Sequence, residues 1–441
     1  MTLTRRQVIK SLGAASATAA APLSLSVHAG GADDYKALVC VFLAGGNDFF
    51  HQVLPLDSCN YNKYASSRYS IVVSQSMVNP LHIKDANGAR FGLHKSMTPL
   101  MRLFERGKAN FAINVGPLLA PVTQSDIVSG RADLPPFLFA HNKQQEVWQH
   151  SWMGRGYSEN GWLGMSMDVL SRSNGGMPNA FYTGPNSLLD AYNTDKIFVN
   201  RNGFESFNML QNAAMRSSYE NNANQYYDSP LTAGYADVVK QAMYAQDQMS
   251  PIIASIPMDK RIPATSLGMQ LRAVKQMIEG AQMLGHNRQV FYVTLGGFDT
   301  HDNQVRRQDE LMKEFAEGIA AFYTSLEEEG LEDGVLTCTL SEFGRTMHDN
   351  SRNGTDHGWG GGHFLFGGGT ASNTCFGTYP DFTRGGQDDN GEGRLIPKIS
   401  HEQYAAHVVK WLGLNNAALN TVFPNLYKFG GAMGEATVVA R

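Results

Sequence analysis

Three acidic residues stand in one recurring local setting. An apolar run over residues 37–44 leads into Gly45-Gly46-Asn47-Asp48, another over 290–295 into Gly296-Gly297-Phe298-Asp299, and a third over 335–340 into Ser341-Glu342. Two histidine-bearing segments, Asp299-Thr300-His301 and Asp356-His357-Gly358, add imidazole nitrogen, with His363 just beyond. Carboxylates and imidazoles together suit a hard or borderline divalent ion such as Zn²⁺ or Mn²⁺. Taken singly, an Asp after a strand is most often a turn former or helix N-cap, and a lone His a satisfied polar residue. The inference rests on recurrence. If Asp48, Asp299, Glu342 and Asp356 converge, like charges share a partly desolvated space, and a cation or raised pKa values must relieve them.

The elements that would position these groups follow from the same runs. Short apolar stretches without polar alternation are strands buried on both faces, the pattern of a parallel sheet in an α/β domain. Ligands bind at the carboxyl ends of such strands, where all three acids fall. Residues 93–107 carry Met97, Leu100, Met101 and Phe104 at helical spacing, Gly107 stops the helix, and 110–115 form the next strand. Helices are expected over 233–249, 267–284 and 304–329, and a short strand over 364–366. The glycine runs 360–362 and 367–369 lack the strand-turn-helix setting of a dinucleotide fingerprint, so they are turns that let backbone approach the cluster. The expected architecture is one α/β domain over 30–441, with a loop-rich helical insertion around 160–290.

The N-terminus has a separate character. Thr4-Arg5-Arg6-Gln7-Val8-Ile9-Lys10 precedes an Ala-rich, mildly apolar stretch and the small-residue exit Val27-His28-Ala29. This resembles a twin-arginine export signal cleaved after Ala29, which implies recognition by the twin-arginine machinery and a periplasmic or otherwise exported protein. No later segment reaches the roughly 20 apolar residues of a membrane span. The formal charge of −4 and pI near 6.4 give no footprint for nucleic acid. The four cysteines show no CxxC spacing: Cys40 and Cys338 sit in strand runs as core residues, while Cys59 and Cys375 lie in loops and could pair in an oxidising compartment.

The segments 42–48, 297–304, 341–346 and 354–361 closely resemble the signatures of the domain of unknown function 1501 family, with further likeness at Gly161-Trp162-Leu163-Gly164 and Gln403-Tyr404-Ala405-Ala406. That family is similar to the alkaline phosphatase and sulfatase superfamily. The resemblance implies a three-layer fold, a mostly parallel central sheet with helices on both faces, and one or two divalent ions (Zn, Mn, Ca or Mg) at the strand ends. Carried over, it implies Asp48, Asp299, His301, Glu342, Asp356 and His357 as the metal set. This chain reads Ser341-Glu342-Phe343 where many members read Ser-Asp-His, and Asp299 and His301 are closer than the usual spacing. It also reads Ala140 in 139–145, where many relatives place Ser before the His. Thr123 and Ser125 remain candidate nucleophiles, and Arg345 a candidate partner of an anionic substrate. Two functions follow as expectations: a metal-dependent hydrolase of small anionic phosphate or sulfate esters, or a non-catalytic exported binding protein on the same scaffold. An exported redox protein is disfavoured, because no cluster of Cys and Met ligands is present.

Overall fold

The computed structural model describes residues 35–170, 177–200, 203–204, 210, 212–370 and 372–434, so the expected export signal lies outside the described residues. One eight-stranded sheet organises them. Its strands are β1 (Lys36–Ala44), β2 (Ala109–Gly116), β3 (Ala180–Tyr182), β4 (Lys196–Phe198), β5 (Arg288–Gly296), β6 (Val335–Leu340), β7 (Gly361–Gly367) and β8 (Ile399–Ser400). Their spatial order is β8-β2-β7-β6-β1-β5-β3-β4. β1 pairs in parallel with β5 and β6, and β5 with β3, while β7 runs antiparallel to both β6 and β2. The strand expected over 364–366 is therefore longer and reversed, because it follows β6 closely with no crossover helix to turn it parallel.

Both faces of β1 are covered, which explains its unbroken apolar sequence. Ala37, Val39, Val41 and Leu43 belong to a core shared with Leu267, Leu271, Phe315 and Ile319, whereas Leu38, Cys40 and Phe42 pack with Trp162, Met167, Tyr404 and Val408. The helices supplying these side chains, with others used below, are α1 (Ser58–Ser67), α2 (His141–Gln149), α3 (Trp162–Leu170), α4 (Pro230–Ala254), α5 (Ser266–Glu279), α6 (Gln304–Glu328) and α7 (His401–Leu412). α5 and α6 lie on one face, α3 and α7 on the other. The helix expected over 93–107 is split into a 3-10 stretch, Lys95–Leu100, and a short α-helix, Met101–Glu105. Pro99 lacks the N–H that a continuous helix needs, and Gly107 ends the element with φ +67°.

All four cysteines are free thiols, with Cys59 exposed and Cys375 buried, so the pairing that the sequence leaves open between these two is not formed. Cys40 and Cys338 face each other across β1 and β6 with their sulfurs 3.5 Å apart in the core. No helix among the described residues is long and apolar enough to cross a membrane.

Candidate metal centre

The loops after β1, β5 and β6 meet at the carboxyl end of the sheet. Gly45 and Gly46 have φ of +119° and +86°, and a Cβ on them would lie 2.3 Å from the Asp299 nitrogen and 2.5 Å from the Phe343 ring. Only glycine permits both the conformation and the approach. Arg345 closes the junction: its guanidinium donates to the carbonyls of Gly45 (2.5 Å), Gly46 (2.9 Å), Phe298 (3.0 Å) and Thr355 (3.1 Å), and to Asp299 Oδ1 (2.5 Å). Its side chain is wholly buried. The residue expected to face an anionic substrate thus ties three loops together.

Three imidazoles surround Asp299. His141 Nε2 lies 3.5 Å from Asp299 Oδ2, while His301 Nε2 and His357 Nε2 lie 3.0 and 3.3 Å from Oδ1. Each ring is held from behind through its other nitrogen. His141 Nδ1 is 2.8 Å from Glu342 Oε1, His301 Nδ1 is 2.8 Å from Asp356 Oδ1, and His357 Nδ1 is 2.8 Å from the Phe139 carbonyl. A carbonyl or carboxylate oxygen accepts only, so each Nδ1 carries a proton and each ring turns its Nε2 toward the centre. This is how metal-ligating histidines are commonly oriented. His301 Nε2 and His357 Nε2 are 3.0 Å apart, a separation at which two lone pairs repel unless a proton or cation lies between them. His141, Asp299 and His357 each offer a ligand atom, all within 4.8 Å of one another. The donor set fits a divalent ion of borderline softness.

The charges are tuned to match. Partial burial raises the Asp299 carboxyl, but the Arg345 hydrogen bond and charge, with the charges of His301 and His141, prevail and hold it at about 2. The Glu342 hydrogen bond pushes His141 up, whereas burial pushes His357 down.

The structure distributes the sequence-derived residues unevenly. Asp299, His301 and His357 come together. Glu342 and Asp356 are adjacent but stand behind histidines, and Glu342 also accepts from the Gly45 N–H (2.9 Å) and the Gln145 amide (3.2 Å). Asp48 is elsewhere in character: it forms a fully buried bidentate pair with Arg68 and accepts from Gln304 Nε2 at 2.6 Å, so both oxygens are occupied. Thr123 is the N-cap of the exposed helix Gln124–Val128, in a capping box with Asp126, and Ser125 lies in that helix's first turn. Phe343 stacks on His357, ring centroids 4.5 Å apart. His363 is buried against Trp148, 4.8 Å between centroids. The residue missed from sequence is His141. It opens α2, far from the strand-end motifs, and its signal was its place in the segment that carries Ala140.

A mostly parallel sheet between helical layers, with acid and imidazole gathered at the strands' carboxyl ends, defines an α/β protein with a candidate mononuclear centre. The chain belongs to the DUF1501 family, described as protein of unknown function, whose model matches residues 35–391. No curated protein sequence matches it. Among solved structures it is similar to the lipoteichoic acid synthase LtaP from Listeria monocytogenes, with 10% identity, TM-score 0.32, and coverage of 78% of this chain and 69% of that one. It is also similar to the C-terminal periplasmic domain of EcEptC from Escherichia coli in complex with Zn, with 8% identity, TM-score 0.33, and coverage of 76% and 74%. The PsFucS1 sulfatase from Pseudoalteromonas sp. gives 9% identity, TM-score 0.29, and coverage of 79% and 66%.

Proposed function

We propose that this is an exported metal-binding protein whose single-ion centre hydrolyses phosphate or sulfate esters. The observation that carries the reading is the set of imidazoles anchored at Nδ1 with Nε2 turned toward one carboxylate. His141, Asp299 and His357 would hold the ion, three protein ligands being the usual number where a coordination position stays open for chemistry. A nitrogen-rich set favours Zn²⁺ or Mn²⁺ over Ca²⁺ or Mg²⁺, which prefer oxygen. One ion rather than two is expected, because Asp48 is saturated by Arg68 and Phe343 offers no donor. When bound, the ion would supply Lewis acidity toward an ester oxygen and lower the pKa of water.

The chain's own groups divide the remaining work. Ala140, the residue before α2, brings no hydroxyl beside His141, so water rather than a side chain would attack. His301 borders the triad and is backed at Nδ1 by Asp356, which places its Nε2 to take a proton from the attacking water and pass it to the leaving oxygen. Arg345 and the glycine turns keep these groups in register.

Elemental analysis after loading with Zn²⁺, Mn²⁺, Ca²⁺ or Mg²⁺, followed by turnover on an ester panel, tests the reading. We expect one Zn²⁺ or Mn²⁺ per chain, loss of the ion in His357→Ala, and an ion retained in His301→Ala with turnover lowered by about 10²–10⁴-fold, the usual contribution of an acid–base group. A protein that binds no ion, or that turns over no ester when loaded, ends the hydrolase reading. Ala140 also favours a second one, a binding protein on this scaffold; turnover appearing only in Ala140→Ser would select it. The twin-arginine route rests on Arg5-Arg6, and secretion unchanged by Arg5→Lys with Arg6→Lys would remove that route.

A further inference from the structure

Away from the centre, α1 and the chain near 348–349 and 382–384 line an open cavity of about 520 Å³, within the size range of small-molecule sites. Its wall holds an unusual combination. Tyr69 is 85% exposed. Arg384 is exposed and makes no hydrogen bond or ion pair among the described residues, whereas the other cation of the wall, Lys63, is paired with Asp381 at 2.9 Å. Ser67 Oγ and His348 Nδ1 are buried in the wall without a hydrogen-bond partner. The Asp349 carboxylate, which accepts from the Ser70 N–H, the Asn62 amide, the Ser66 hydroxyl and the Thr383 hydroxyl, which donates to Asp381, add to the polar lining.

These groups define a ligand by complementarity. A bare aromatic face accepts a flat, weakly apolar surface, and amide, hydroxyl and carboxylate groups around it exchange hydrogen bonds with several hydroxyls. A pyranose presents both. An unpaired guanidinium adds a demand for a planar or tetrahedral anion, which it binds through two parallel N–H donors. Lining that was only cationic would suit a free anion, and lining that was only polar would suit a neutral sugar.

We propose that this cavity binds a sugar monoester, a pyranose carrying phosphate or sulfate, with the ring on Tyr69 and the anion on Arg384. The site stands without the metal reading, since none of its wall residues is a ligand of the centre. One loop nevertheless serves both places. His348 and Asp349 wall the cavity, and the next residue, Asn350, donates to Asp356 Oδ1 at 3.2 Å, the carboxylate that holds His301.

Calorimetric titration of the chelator-treated full chain with glucose 6-phosphate, glucose 6-sulfate, glucose, inorganic phosphate and inorganic sulfate tests the proposal. One of the two esters should bind with a Kd of about 1 mM or tighter, and glucose and both free anions at least about tenfold more weakly. Arg384→Ala and Tyr69→Ala, both at exposed positions where folding is readily confirmed by circular dichroism, should each weaken the ester about tenfold. His357→Ala should leave it unchanged, which separates this cavity from the centre. The preference between the two esters identifies the anion. The proposal is overturned if neither ester binds, if a free anion binds as well as its ester, or if ester binding is indifferent to Arg384→Ala and Tyr69→Ala.

Discussion

Asp48 and Asp299 have the same sequence setting and opposite fates. Each follows an apolar strand and a glycine pair, Asp48 four residues past the end of β1 and Asp299 three past the end of β5, and the two strands are neighbours in register, Ala44 beside Gly296. Asp48 has no exposed surface and is neutralised from inside the fold by Arg68. Asp299 is 46% exposed at its side chain and faces three imidazoles, with Arg345 taking only one edge. The lesson is that a strand-end acid is closed off or left open according to which groups reach it. The guanidinium behind Asp48 fills both of its oxygens, whereas Asp299, paired with Arg345 along one edge, keeps an exposed edge turned toward imidazole nitrogens and solution.

The difference can be tested first where it is largest. Arg68→Ala leaves the Asp48 carboxylate buried and uncompensated, and should cost about 3–5 kcal/mol in urea unfolding; a loss below about 1 kcal/mol would mean that Asp48 finds water or another partner. The pair also has a pH signature. Burial raises the Asp48 carboxyl, but the Arg68 charge and hydrogen bonds outweigh this and hold it below the usual value. A depressed acid contributes stability that is complete above the unfolded-state value, about 3.9, and is lost as pH falls through the folded-state value. Asp48→Asn should therefore flatten the acid limb of the stability curve below about pH 4, and an unchanged limb would contradict the assignment.

At Asp299 the expected effect is smaller and conditional on ligand. An ion that binds only the folded chain should add about 2.7 kcal/mol when its free concentration is a hundred times Kd, and chelator should remove that increment. Asp299→Asn should abolish the increment while Arg68→Ala leaves it in place. Equal responses of the two variants would erase the distinction between a closed and an open acid. The smallest effect concerns Thr123, placed as a helix cap. Thr123→Ala should cost about 1 kcal/mol, the usual worth of a cap, and leave ion binding and turnover unaltered. Loss of turnover without loss of stability would make it a nucleophile instead.

Much of this arrangement was legible before the fold was known. Unbroken apolar runs identify strands covered on both faces, and the glycines and acids after them mark the end of the sheet where loops converge. His301 follows because it lies two residues beyond Asp299, and His357 because it forms an Asp-His pair shortly before β7. What the sequence does not contain is the direction in which a side chain is held. Glu342 and Asp356 have the right chemistry for ligands, yet the rings of His141 and His301 stand between them and the centre. Arg68 lies in Ser66-Ser67-Arg68-Tyr69, which has the composition of a solvated helix end, and only tertiary packing turns it inward to Asp48. Arg345 was legible as a cation beside the site, but not as one whose donors are consumed by carbonyls. His141 is separated from Asp299 by most of the helical insertion, and its approach depends on α2 packing over the strand ends.

The buried guanidinium of Arg345 carries a consequence for how the site opens. Carbonyls from residues 45, 46, 298 and 355 end on one side chain, and the loops are further joined by the Phe298 N–H to the Ala44 carbonyl (3.1 Å) and the Asn47 N–H to Ser341 Oγ (2.9 Å). None of these loops can lift alone without stranding donors and acceptors in a dry interior. In amide hydrogen exchange, Gly45, Asn47 and Phe298 should therefore exchange together, at a rate governed by a large cooperative opening of the sheet end and not by the fast local fraying usual in loops.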